Sequence, residues 1–272
     1  MNIAYLEIIK RYDWNFKKHL YAENLSHKEY DYIILGNSLV MDAVDTELLS
    51  KTGYSSFNFG IGGATLKSSK LQLESYILNE NKKPKKVVLG LGKFLKNDQL
   101  SDLVHPVIKY TQQQYWQTLI DIPLLKYSWM ATEQIKQIVS SNHRNAKVVN
   151  GQLRISKSSA DITFYSNKTE DKFNSSEYLQ SIPLIDLAKF CQKNDIELVI
   201  MEMPGYKKYQ NNIAIGPYIL EGNGYNMQLY NFNNREFCEI FDDKKDWLGN
   251  AHLNRFGAIK FTNEILKSKV LK

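Results

Sequence analysis

The chain has 272 residues, 43% of them hydrophobic and 24% charged, with a formal net charge of +6. That is enough apolar material for one large core, and the balance excludes a disordered, collagen-like or membrane-embedded chain. The positive balance would admit an anionic partner. The lysines are scattered, however, and the densest run, Lys82-Lys83-Pro84-Lys85-Lys86, reads as a solvated turn rather than a nucleic-acid face.

Residues 1–21 contain no apolar run of leader or anchor length, because Glu7, Lys10, Arg11, Asp13, Lys17 and Lys18 interrupt it; a cytoplasmic location is expected. The spacing of Tyr5, Ile9, Tyr12 and Phe16 predicts an amphipathic helix packed on the domain. The alternative for the same helix is peripheral contact with a membrane surface. Asp31-Tyr32-Ile33-Ile34-Leu35-Gly36 is a short apolar run ending in glycine, the pattern of a buried strand. Helical spacing follows from Ser38 to Ser50. Tyr54–Phe59 reads as a second strand, Gly60-Ile61-Gly62-Gly63-Ala64-Thr65 as a glycine turn, and Leu66–Asn79 as an amphipathic helix. Lys86–Gly92 is a third strand.

Regularity lapses between Phe94 and Ser176, which reads as one long insertion, part helical and part loop, and a candidate cap over a cleft. Pro183–Asn194 then predicts a helix, Ile196–Met201 a fourth strand, Phe237–Phe241 a fifth, and Phe256–Leu271 a closing helix. Alternation of strand and helix predicts a single α/β domain over 1–272. Its architecture is a three-layer sandwich around a parallel sheet of about five strands. In such sheets ligands bind beyond the carboxyl ends of the strands.

Two side chains stand at those ends. Ser38 follows Gly36 directly and opens a helix, where unpaired N–H groups suit both a nucleophile and the oxyanion it generates. The same position equally suits Ser38 or Asn37 as a plain N-cap. His252 precedes the closing helix on the same edge of the sheet and could take the serine proton, or simply cap the helix. Cys191 and Cys238 lie in apolar settings and read as buried free thiols. No Cys/His grouping has zinc-ligand spacing, and no metal or cofactor is expected. Gly60-Ile61-Gly62-Gly63 half-matches a dinucleotide fingerprint but follows the second strand and lacks the final glycine.

Three segments together resemble the SGNH (GDSL-like) hydrolases: Ile33-Ile34-Leu35-Gly36-Asn37-Ser38, then Asn58-Phe59-Gly60-Ile61-Gly62-Gly63-Ala64-Thr65, then His252-Leu253-Asn254 with Gly257-Ala258. They come in the family's order, and the layout is similar to the subset that acylates cell-envelope polysaccharides and teichoic acids. The resemblance implies a flavodoxin-like strand order, Ser38 as nucleophile, His252 as base, and the N–H groups of Ser38 and Gly63 as the oxyanion hole. Asn37, Gly62 and Asn250 would border the substrate, an acyl ester borne by a carbohydrate. Hydrolysis and acyl transfer share this chemistry.

Two departures accompany the resemblance. The family's Gly-x-Asn-Asp block should follow the third strand, but Gly92 is followed by Lys93, Phe94 and Leu95, and Asn97 is out of register. The family's acid lies three residues before the histidine, where this chain has Gly249. Asp246 is the nearest carboxylate and is expected to support His252; a backbone carbonyl is the alternative. A catalytically inactive module that binds a glycan or a partner protein is the rival reading.

Overall fold

A computed structural model describes residues 26–92, 146–158, 172–249 and 252–271. The expected N-terminal helix, Asn250, and Tyr110, Tyr115, Trp116 and Trp129 of the insertion, which would line the cleft under a cap, lie outside the described residues.

The described chain runs β1 (Tyr32–Gly36), α1 (Ser38–Ala43), α2 (Thr46–Ser50), β2 (Ser56–Asn58), α3 (Leu66–Leu78), β3 (Lys86–Leu91) and the hairpin β4 (Ala146–Val149) and β5 (Gln152–Ile155). It continues through α4 (Ser175–Leu179), α5 (Ile182–Lys193), β6 (Glu197–Glu202), β7 (Tyr218–Gly222), β8 (Tyr225–Asn231), α6 (Arg235–Cys238) and α7 (Arg255–Lys267). The main sheet has six strands in the order β2-β1-β3-β6-β8-β7. All neighbours are parallel except β7, which pairs antiparallel with β8.

Alternation along the strands sorts the core into two layers. Ile33, Leu35, Val87, Leu89, Leu198 and Ile200 face α3 and α5, meeting Leu73, Leu184, Leu187 and Ala188. Ile34, Val88, Val199 and Met201 face the opposite side, meeting Val40, Leu49, Phe261 and Ile265 of α1, α2 and α7. The three-layer sandwich is therefore as expected.

Three local expectations need correction. The Ser38–Ser50 run is two short helices, because Asp45 interrupts it and accepts the N–H groups of Glu47 and Leu48 as the cap of α2. Phe237–Phe241 is not a strand. Asn234 caps a helical turn there by accepting Phe237 N–H, and local capping overrides the β-rich composition. The fifth parallel strand is β8 instead, reached through a hairpin whose two-residue loop is Asn223-Gly224, with Gly224 at φ +77°.

Most of the insertion expected as a cap lies outside the described residues, and its described part includes a hairpin. The β4–β5 hairpin docks at the β2 edge of the sheet, where Asn58 N–H donates to Asn150 O at 2.9 Å. Buried Arg154 holds it in place, reaching Asp45 at 2.7 Å and Glu47 at 2.7 Å, while Gln152 donates to Asp42 O. The basic run at 82–86 is engaged locally: Lys82 pairs with Glu29, Lys85 with Asp31, and buried Lys86 reaches Val270 O. Cys191 and Cys238 are buried free thiols, and desolvation pushes each up to about 12. Among the described residues no helix is long and apolar enough to cross a membrane.

Candidate active site

The turn after β1 is set by close packing. Gly36 has φ +134°, and a Cβ there would lie 2.4 Å from Gly90 O on the neighbouring strand, so only glycine lets the chain leave the sheet at that angle. Asn37 follows as the cap of α1, its Oδ1 accepting Leu39 N–H at 2.9 Å. This is the structural role that the sequence left open for Asn37. Ser38 is thereby the first residue of α1, half-buried, and its N–H points out of the helix end.

The second glycine-rich turn lies against the first. Ile61 N–H donates to Gly36 O at 3.0 Å, and Ala64 N–H closes the turn onto Ile61 O at 3.1 Å. Gly60 is pressed against α1, where a Cβ would meet Met41 N and Val40 Cγ1 at 2.8 Å each. Gly62 is half-exposed, and Gly63 is exposed with φ +72°. Among the described residues no acceptor engages the Gly63 N–H. Thr65 ends the turn as the cap of α3.

His252 comes from the far end of the chain. The loop from Asp242 to Asn254 is drawn tight by Leu248 N–H to His252 O at 2.8 Å, Asn254 N–H to Asp246 O at 2.9 Å, and a bridge between Trp247 and Leu253. Asn254 then caps α7 by accepting the N–H groups of Phe256 and Gly257. The result is a 2.8 Å contact between His252 Nε2 and Ser38 Oγ across 214 residues of sequence. For Nε2 to accept the serine proton, Nδ1 must carry the ring hydrogen. Burial holds the imidazole below its ordinary pKa, which favours the neutral ring that a base requires.

Asp246 does not take the expected place behind that ring. Its carboxylate is almost wholly buried, and Oδ2 accepts from Lys260 Nζ at 2.5 Å and from Asp242 N–H at 2.7 Å. A buried carboxylate needs a cation or several donors, and α7 presents Lys260 directly over it. Among the described residues the His252 ring has no hydrogen bond to a carboxylate. Gly249, three residues before His252, has φ +149°, and a Cβ there would meet nothing within 4 Å. Ser38 and His252 are thus brought together, the Gly62–Gly63 turn is hydrogen-bonded to the turn before Ser38, and Asp246 is directed elsewhere.

Residues to which the sequence assigned no role also shape the site. Lys260 neutralises Asp246, and Asn254 fastens the histidine loop by donating to Lys245 O at 2.5 Å. Asn58, fully buried between α1 and the glycine turn, is the third. A polar residue between Phe57 and Phe59 in a short buried strand must find partners inside the protein, which is the signal that marks it. Among the described residues no group of three or more His, Cys, Asp or Glu side chains is placed to hold a metal ion.

No family model and no curated protein matches this sequence. Several solved structures are similar to it at low identity. One, provisionally assigned as a platelet activating factor from Streptococcus pneumonia, is 14% identical with a TM-score of 0.39, covering 97% of this chain and 92% of the other. A provisionally assigned acylhydrolase from Bacteroides fragilis is 12% identical with a TM-score of 0.32, covering 95% of this chain and 97% of its own. A GDSL-like lipase from Bacteroides thetaiotaomicron is 11% identical with a TM-score of 0.32, covering 96% of this chain and 98% of its own.

Proposed function

We propose that this protein is a serine ester hydrolase or O-acyltransferase that works through an acyl-enzyme on Ser38, with a carbohydrate-borne acyl ester as substrate. The observation that carries the reading is the 2.8 Å contact between Ser38 Oγ and His252 Nε2 at the carboxyl ends of the parallel strands. Ser38 Oγ attacks the ester carbonyl while its proton passes to His252 Nε2. The oxyanion that develops is met by the N–H groups of Ser38 and Gly63. Collapse expels the alcohol, which takes the proton from His252. Water or a sugar hydroxyl then attacks the acyl-serine, giving it up to hydrolysis or transfer, and His252 relays the proton a second time.

The supporting test is labelling with a fluorophosphonate probe. The wild type should become covalently modified at Ser38, and both Ser38→Ala and His252→Ala should resist. A wild type that does not label would overturn the proposal. The second reading, an inactive module that binds a glycan, draws on the His252 ring having no hydrogen bond to a carboxylate among the described residues. Glycan binding retained in unlabelled protein would favour it.

A further inference from the structure

Asn58 ends β2, flanked by Phe57 and Phe59, whose rings face the α3 layer, while its own side chain points the other way, toward α1. It is fully buried, and both halves of its amide are used. Nδ2 donates to Val40 O at 2.9 Å, with a longer approach to Val44 O at 3.4 Å; Oδ1 accepts Gly60 N–H at 2.8 Å. Its two partners belong to the two segments that present the oxyanion donors. Val40 lies two residues after Ser38 in the nucleophile's helix. Gly60 lies three residues before Gly63 in the glycine turn. The backbone of Asn58 is fixed as well, since its N–H donates to Asn150 O of the inserted hairpin and the next N–H, of Phe59, donates to Ile34 O at 2.8 Å.

We infer that Asn58 is a positioning residue for the proposed reaction: its side-chain amide sets the distance between the Ser38 and Gly63 N–H groups, and so builds the oxyanion hole in a chain without the family's third-block asparagine. The inference rests on the Ser38–His252 reading. The physical basis is the fixed span of one amide. An oxyanion hole works only when its donors are held at about 2.7–3.1 Å from the developing charge. A misplacement of about 1 Å costs on the order of 100-fold in rate.

The test compares wild type, Asn58→Ala and Asn58→Asp on p-nitrophenyl acetate and with a fluorophosphonate, below each variant's thermal midpoint. For Asn58→Ala, kcat and the labelling rate of Ser38 should fall together by about 10- to 100-fold with KM nearly unchanged. Asn58→Asp supplies the readout that a simple packing role would not move. A protonated carboxyl can donate to Val40 O and accept from Gly60 N–H, whereas an ionised one cannot donate. Its kcat should therefore approach the wild-type value toward about pH 5 and drop as the carboxyl ionises. If labelled, folded Asn58→Ala keeps kcat within about twofold, or Asn58→Asp follows the wild-type pH profile, the inference is wrong while the proposed function stands. If Asn58→Ala fails to fold, the pH profile of Asn58→Asp decides alone. Should the wild type itself resist labelling, both fall.

Discussion

Replacing Asp246 by Asn separates two roles for this carboxylate. As the acid of a triad, Asp246 would hold the His252 tautomer, and its amide replacement would lower kcat by about 10^4-fold with little effect on stability. The structure instead joins Oδ2 to Lys260 Nζ at 2.5 Å and to Asp242 N–H at 2.7 Å, at a carboxylate only 2% exposed. Removing the partner of a fully buried ion costs about 3–5 kcal/mol. Lys260 is 44% exposed, so its ammonium can return to water, and the loss shrinks toward that of a charge-assisted hydrogen bond, about 1–2 kcal/mol. Asn also keeps an acceptor for Asp242 N–H. The expected result is a midpoint lowered by roughly 2–6 °C with kcat reduced less than about 10-fold. The assay pairs thermal unfolding with ester turnover and adds Lys260→Met and the double variant. The two single changes should couple, since both break one contact. A loss of several orders of magnitude in kcat with an unchanged midpoint would refute the clamp and restore Asp246 to the triad.

Four further outcomes follow from the same geometry. Because burial lowers the His252 pKa, the acid limb of kcat/KM should lie below the ordinary histidine value of 6.5. Between the depressed folded value and 6.5 the unfolded chain binds more protons, so His252 makes stability fall as pH drops through that window, and denaturant melts across the range check the sign. Gly249→Asp places a carboxylate three residues before His252 in open space; its φ of +149° should cost about 1–3 kcal/mol, and a carboxylate that reaches the ring would move the acid limb upward, whereas an unmoved limb means it does not reach. Arg154→Met strands buried Asp45, whose side chain is 4% exposed, and should lower stability by about 3–5 kcal/mol in denaturant unfolding; a loss below about 1 kcal/mol would show that the hairpin anchors elsewhere.

The central layer was legible because period and length agree there. β1, β3 and β6 are short, continuous apolar runs bounded by glycine, proline or polar residues, and the helices between them carry their apolar residues on one side. The second half was harder for specific reasons. Asn223-Gly224 between Tyr218–Gly222 and Tyr225–Asn231 is a strong hairpin signal, yet no element was expected between Met201 and Phe237. Phe237–Phe241 has strand composition, and a single cap at Asn234 turned it into a helical turn. In the candidate site, Ser38 and His252 were readable from their places at strand ends and from the ordered motifs. The partner of Asp246 was not, because nearness along the loop favours His252 while the fold lays α7, and with it Lys260, across the carboxylate. Asn58 stood at the head of the second motif, but its role was not readable, since its partners come from two other segments.

The contact between Ser38 and His252 joins residues 214 positions apart, and that separation sets when reactivity can appear. During synthesis at about 5–20 residues per second, the serine emerges tens of seconds before the histidine. Until β8 has added to the sheet and α7 has closed over α1, Ser38 is an ordinary hydroxyl with no base beside it. On the proposed mechanism, the nascent chain would meet esters without being acylated by them. Ester turnover would in turn report that the last strand and helix have docked, so its recovery during refolding tracks completion of the fold rather than collapse of its first half.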